Sequence, residues 1–277
     1  MITATGSSRR RLAAAAVAAV VVVGFVVGGL ASARSDQDTA LPDVRPEAMS
    51  SESSPPPAVV NDCWVPASTG NISLSGSEAM DLTTTAATVA ETRRGQERLL
   101  TVVERTLALP PDQTATVAAS LLGDTSTDRL TCSYARVAVE PEDAGPSGLT
   151  PRARALRAAW TEVFGELTAG GFARGGVSSG HVDSSSHYDG LAVDVFFRPV
   201  GDDEQRRRGR VLAQWLVAHA QQYHVLSVIF ADQIWTSWAA YAGWREYVHP
   251  SGNGANPVLR HLDHVHVAVE SGRPFRG

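Results

Sequence analysis

The chain has 277 residues, 43% of them hydrophobic and 19% charged, with a formal net charge of −5. That length allows one large or two ordinary domains. The mildly acidic balance gives no reason to expect a nucleic-acid partner.

In chain order, Arg9-Arg10-Arg11 precedes an apolar run from Leu12 to Ala33 that carries no charge. About 22 residues rising ~1.5 Å each span ~33 Å, enough for a bilayer core. The arginines would remain on the cytoplasmic side and direct the remainder outward. Residues 1–34 are therefore read as a membrane anchor through 12–33 or as a signal peptide cleaved near Ala33, where Ala31-Ser32-Ala33 fits the small-residue pattern. Either places the body of the protein outside the cytoplasm. Residues 35–60 are rich in Ser, Pro, Asp, Glu and Ala and end in Ser53-Ser54-Pro55-Pro56-Pro57, which reads as a disordered linker.

Cys63 and Cys132 are the two cysteines, and an oxidising compartment makes them a disulfide pair. From Ser75 to about Leu122 the apolar spacing is helical: Leu82, Ala86, Val89 and Ala90, then Leu99, Leu100, Val103, Leu107 and Leu109. Pro110-Pro111 punctuates, and Thr114 to Leu122 continues the pattern. Residues 61–140 are expected to form a small helical domain closed by the disulfide.

Residues 141–149, with two glycines and two prolines, read as a linker. Thr150-Pro151 then carries an N-cap and first-turn proline signature. Leu156, Trp160, Phe164 and Leu167 form the stripe of that helix, which Gly170-Gly171 should end. A second helix is expected from Arg206 to Tyr223, with Val211, Leu212, Trp215, Leu216 and Ala218 inward. Strand-like runs lie at Leu191–Phe197, Leu226–Phe230 and His264–Val269. Helices mixed with short strands predict an α+β domain over 150–277, with helices packed on a small, mainly antiparallel sheet. Trp235, Trp238 and Trp244 are read as core or half-buried rim, with a groove for a peptide or glycan as the alternative. The turn-rich stretch Ser251–Pro257 is read as a loop bordering a cleft.

All eight histidines lie between His181 and His266. One pair precedes Asp194, in His181-(x₅)-His187-(x₆)-Asp194, and three stand in His261-Leu262-Asp263-His264-Val265-His266. Side chains alternate across a strand, so His264 and His266 share one face while Val265, Val267 and Val269 share the other. Asp194 likewise stands opposite Val193 and Val195. Two strands of matching parity, each with a His or Asp opposite its apolar face and with His187 just before the first, can present ligands to one point, and a catalytic zinc takes three. Zn²⁺ held by two neutral histidines and one aspartate keeps a positive charge and acidifies water. A neighbouring base, His264 or Asp263, would move the proton, and strand parity favours His264.

The run Ser186-His187-Tyr188-Asp189-Gly190-Leu191-Ala192-Val193-Asp194 resembles the Ser-x-His-x-x-Gly-x-Ala-x-Asp motif of zinc D-Ala-D-Ala carboxypeptidases. It is also similar to the His-Tyr-Glu-Gly-Arg-Ala-Val-Asp segment of the hedgehog signalling domain. With lysostaphin-type endopeptidases these form one metallopeptidase group, which shares a terminal His-x-His. A closer resemblance is to exported actinobacterial proteins ending in His-x-Asp-His-Val-His-Val. Covering residues 151–277 only, the resemblance implies a hedgehog/D-Ala-D-Ala peptidase-like fold with His187, Asp194 and His266 as zinc ligands. It makes His264 the non-ligand histidine beside the metal water and puts Asp263 where the carboxypeptidases carry a general-base glutamate. His181 falls where the hedgehog domain has an accessory histidine. The family's substrate-binding arginine has no clear equivalent, Arg174 being the nearest. The expectation is an exported zinc peptidase acting on peptidoglycan stem peptides or cross-links. The alternative is a non-catalytic zinc-containing module that binds cell wall or protein.

Overall fold

The computed structural model describes residues 62–273 apart from 91, 128 and 253, and these fall within one compact unit, Ser53–Gly277. The expected anchor or signal peptide and the linker over 35–60 lie outside the described residues. Among the described residues no helix is long and apolar enough to cross a membrane. The architecture is mixed, with two antiparallel sheets and several helices.

The described residues begin with strands rather than helix. β1 (Asp62–Ala67) and β2 (Gly70–Ser75) form a hairpin in which Cys63 pairs with Leu74 and Val65 with Ile72, all four buried. β3 (Thr131–Ser133) adds to the free side of β1, opposing Cys132 to Cys63, and the two cysteines form the expected disulfide. The 61–140 segment is thus not purely helical: an alternation of only two buried residues per strand is too short a signal to compete with the long helical stretch after it.

Ser75 ends the hairpin and caps α1 (Gly76–Val89), in a capping box where the Glu78 amide donates to Ser75 Oγ and the Ser75 amide to Glu78 Oε2. α2 (Arg93–Leu107) and α3 (Pro111–Leu121) follow. Leu82, Ala86, Leu99 and Val103 are buried as expected, but Leu100 faces outward.

In the second half Thr150 caps α4 (Pro151–Phe164) as predicted. The helix stops at Phe164, with Gly165 at positive φ, six residues before the glycine pair expected to end it. Gly170 belongs instead to an edge strand, β4 (Ala169–Gly170). The remaining elements are β5 (Ala192–Phe196), α5 (Asp203–Ala218), α6 (Ala220–Tyr223), β6 (Val225–Phe230), β7 (Gln233–Thr236), a 3₁₀ turn at Ser237–Ala242, β8 (Arg245–Glu246) and β9 (His264–Val269). The larger sheet runs β4-β5-β9-β6-β7-β8, and every pairing is antiparallel.

Val193, Val195, Val265, Val267 and Val269 are buried, and α5 packs on β6 and β9. The other side of α5 receives α1, where Trp215 Nε1 donates to Thr84 Oγ1 at 3.1 Å. Gln214, also on α5, bonds Ser120 Oγ and the amide of Leu130, and its Nε2 donates to the carbonyls of Ser120 and Arg210. Trp235 and Trp244 donate their indole N–H groups to the carbonyls of Cys132 and Leu130, tying the small sheet to the large one. Trp235 is core and Trp244 half-buried, as expected, whereas Trp238 is exposed. One continuous hydrophobic core extends from Cys63 to Val269. The sequence divides the chain at 141–149, but both parts bury their apolar faces against α5.

Two outcomes follow. Replacing both cysteines with alanine should lower stability by about 2–5 kcal/mol, because the opened loop gains entropy in the denatured chain; an unchanged denaturation midpoint would show that the pair contributes nothing. The fragment 150–277 alone should lose cooperative unfolding, because α5 would expose its Trp215 and Gln214 surface. A sharp melt matching that of a 62–277 chain would contradict the shared core.

Candidate metal centre

The cluster starts at a glycine. Gly171, at φ +77° just after β4, turns its carbonyl toward His187 Nδ1, 2.8 Å away. A carbonyl only accepts, so Nδ1 carries the proton and Nε2 keeps a free lone pair. A Cβ at residue 171 would collide with the His187 ring and stand 3.0 Å from Asp194 Oδ2. The requirement for glycine is therefore both conformational and steric. After His187 the chain reverses through Gly190, φ +67°, whose amide donates to the His187 carbonyl, and enters β5.

On β5 and β9 the pairing register sets Asp194 directly opposite His266 and Phe196 opposite His264. The valines alternate onto the far face, as strand parity requires. His187 Nε2, Asp194 Oδ1 and His266 Nδ1 consequently converge: His187 to His266 is 3.1 Å, His266 to Asp194 3.0 Å, and His187 to Asp194 3.2 Å. His181 joins from the loop before His187. Its ring stacks on that of His187 at 4.0 Å, and its backbone is clamped by Tyr188, whose hydroxyl accepts from the His181 amide and donates to its carbonyl. His181, His187 and Asp194 form a group whose ligand atoms lie within 4.8 Å of one another and could hold a metal ion.

Asp194 is 7% exposed, and burial opposes its charge. The adjacent His187 and His266 rings outweigh that and hold the carboxyl well below the usual carboxylate range. Burial lowers the basicity of His266 despite Asp194, and burial together with His187 lowers that of His181. A metal demands neutral imidazoles and an ionised carboxylate, and the shifts at His266, His181 and Asp194 run in that direction.

His264 is buried beside this group, its Nε2 3.8 Å from Asp194 Oδ1. Its Nδ1 lies 2.7 Å from Asp263 Oδ1, the carboxylate accepting. Asp263 Oδ2 accepts two bonds from Arg198, from Nε at 2.9 Å and Nη2 at 2.6 Å. β9 begins at His264, so Asp263 precedes the strand and escapes the valine face that parity would have assigned it. Both its oxygens are engaged away from the three converging atoms. Arg174 is exposed on the loop after β4 and makes no hydrogen bond or ion pair among the described residues, so nothing draws it to the cluster.

One residue escaped the sequence reading. His261 is 8% exposed, its ring 4.6 Å from that of His264 and 5.7 Å from that of His266, and its Nδ1 has no hydrogen-bond partner. Burial, with His266 and His264 nearby, pushes its basicity down to about 2. It stands at φ +51°, held by the β6–β7 turn, where Ala231 donates to its carbonyl. Its signal was the triple spacing His261, His264, His266, but the residue lies before the strand, where parity says nothing of direction.

A family model described as VldE, C-terminal domain, matches residues 145–258. The match covers less than half of the chain, taking in His181, His187 and Asp194 and ending before His261. No curated protein and no solved structure matches the chain.

Gly171→Ala should weaken metal binding by ~10–100-fold, the usual loss when a ligand's outer hydrogen-bond partner is disturbed. Competition with a chromogenic chelator measures it. Undiminished affinity would show that the Gly171 carbonyl does not orient His187.

Proposed function

We propose that the protein is an exported zinc-dependent peptidase that hydrolyses peptide bonds in peptidoglycan stem peptides or cross-links, with His187, Asp194 and His266 as the metal ligands. The donor chemistry supports zinc. Two imidazole nitrogens and one carboxylate oxygen lie 3.0–3.2 Å apart, and a tetrahedral zinc with bonds of ~2.0–2.1 Å spaces its ligands about 3.3 Å apart. When bound, the ion supplies Lewis acidity, polarising a carbonyl and acidifying water.

The chain's own residues supply the rest. The Gly171 carbonyl presents His187 in the tautomer that leaves Nε2 free. The His264 proton sits on Nδ1, bound to Asp263, so Nε2 accepts a proton from water and returns it to the leaving amine. Asp263 orients the imidazole and balances the charge it gains. His181 stacks on His187 beside the cluster. The observation that carries the reading is His264 itself, a buried histidine aimed by a carboxylate at the three converging atoms, which a purely structural zinc would not need. The compartment and the cell-wall substrate rest on the arginine-flanked apolar segment and on the family resemblance.

A second reading, a non-catalytic zinc-containing module that binds cell wall or protein, is favoured by one observation: Arg174 reaches no site residue. The full-length protein should carry about one zinc per chain, and His266→Ala should lose most of it. His264→Ala should keep the metal and the fold while losing ~10²-fold or more of muropeptide hydrolysis, the usual worth of a general base. If zinc-loaded, folded protein leaves every cross-linked and uncross-linked muropeptide intact yet sediments with cell walls, the binding-module reading replaces the peptidase.

A further inference from the structure

Arg198 stands two residues beyond the end of β5, and its guanidinium has two commitments. Nε and Nη2 both donate to Asp263 Oδ2, and the group lies over the Phe196 ring, 4.1 Å from its centroid. Phe196 is the register partner of His264, and the Phe197 amide donates to the Asp263 carbonyl at 2.8 Å, carrying the β5–β9 ladder past His264. Asp263 is thereby held at backbone and side chain by one short segment, 196–198. Its side chain is only 5% exposed, whereas that of Arg198 is 56% exposed.

We propose that Arg198 is a positioning residue: through Asp263 it holds His264 as the Nδ1–H tautomer with Nε2 turned toward Asp194 and His266. This rests on the peptidase reading for its catalytic meaning, but not for its geometry. A buried carboxylate with one oxygen bonded and the other bare can rotate, so Oδ1 would no longer be fixed opposite His264 Nδ1. Two charge-assisted bonds to Oδ2 remove that freedom. Arg198 is itself half in water, but Asp263 is buried, so losing the pair leaves that carboxylate with His264 as its side-chain partner and costs some stability as well. Its distinctive effect is on the His264 ring. Lysine cannot lie flat on Phe196 while donating twice from a rigid fork, so it should substitute only in part.

The test uses zinc-loaded full-length protein carrying ¹⁵N-labelled histidine, in wild-type, Arg198→Ala, Arg198→Lys and Asp263→Asn forms. Two-bond ¹H–¹⁵N correlations should show His264 protonated on Nδ1 in the wild type and a tautomer mixture in Arg198→Ala. Arg198→Lys should fall between, and Asp263→Asn should show the largest change. Zinc content should stay at the wild-type value in Arg198→Ala, with a lowered melting temperature that Arg198→Lys largely restores. On muropeptides, Arg198→Ala should lower kcat by ~10-fold with KM within ~2-fold, as expected for a group acting through another. An unchanged His264 tautomer in Arg198→Ala overturns the proposal, whatever the activity. So does a lower melting temperature with tautomer and kcat unaltered, since that is a structural role only. If the wild type proves inactive but the tautomer shifts as described, the positioning role stands and the peptidase reading alone fails.

Discussion

The β5–β9 pairing is the constraint on which the site depends. It sets Asp194 opposite His266 and Phe196 opposite His264, while Val193, Val195, Val265 and Val267 pair on the other face. A slip by one residue would turn the imidazoles and the carboxylate into the core and the valines out to the cleft. Apolar burial against α5 and convergence of the polar atoms are therefore enforced by the same register. Burial of a valine contributes roughly 1.5–3 kcal/mol, and several act together here. The hydrophobic face thus holds a polar cluster that would not assemble for its own sake.

That cluster opposes folding in isolation. Removing Asp194 from water is unfavourable, and burial, with the neighbouring imidazoles, lowers the basicity of His261 and His266. Buried ionic groups seldom add net stability, and breaking one partner leaves an uncompensated charge. The arrangement is sustained by the rigid scaffold and by outer contacts: the Gly171 carbonyl on His187, Tyr188 on the His181 backbone, and Asp263 on His264. Preorganisation of this kind is what a functional site requires of its surroundings.

The first half of the chain acts on this site at second hand. Its helices and small sheet contribute no residue to the cluster. They pack on α5, the helix that backs β6 and β9, and clasp it through Gln214 and Trp215. The disulfide pins β1 to β3 where the Trp235 and Trp244 indoles cross from the larger sheet. A segment that reads as a separate domain is thus a buttress for the sheet that carries the histidines.

By itself the sequence determined whatever repeats over short range. The helices after Ser75, the Thr150 cap, the three strands around Asp194, Val228 and His266, and the division of each strand into an apolar and a polar face all follow from local periodicity. Parity also sets Asp194, His264 and His266 on polar strand faces, with His187 leading into the first strand, while the choice of His187, Asp194 and His266 as ligands came from the motif resemblance. Only tertiary structure decided the rest. The β1–β2 hairpin, whose strands bury only two residues each, and the short β4, β7 and β8 do not signal themselves and exist through their partners. Asp263 could not be separated from His264 as a base until Arg198, 65 residues away in sequence, was found on its second oxygen. His261 and the glycine cradle at Gly171 likewise depend on chain reversals at positive φ, which bring together groups that no sequence period connects. Periodicity reports which way a side chain points from its own strand, whereas a site is made of what meets it from elsewhere.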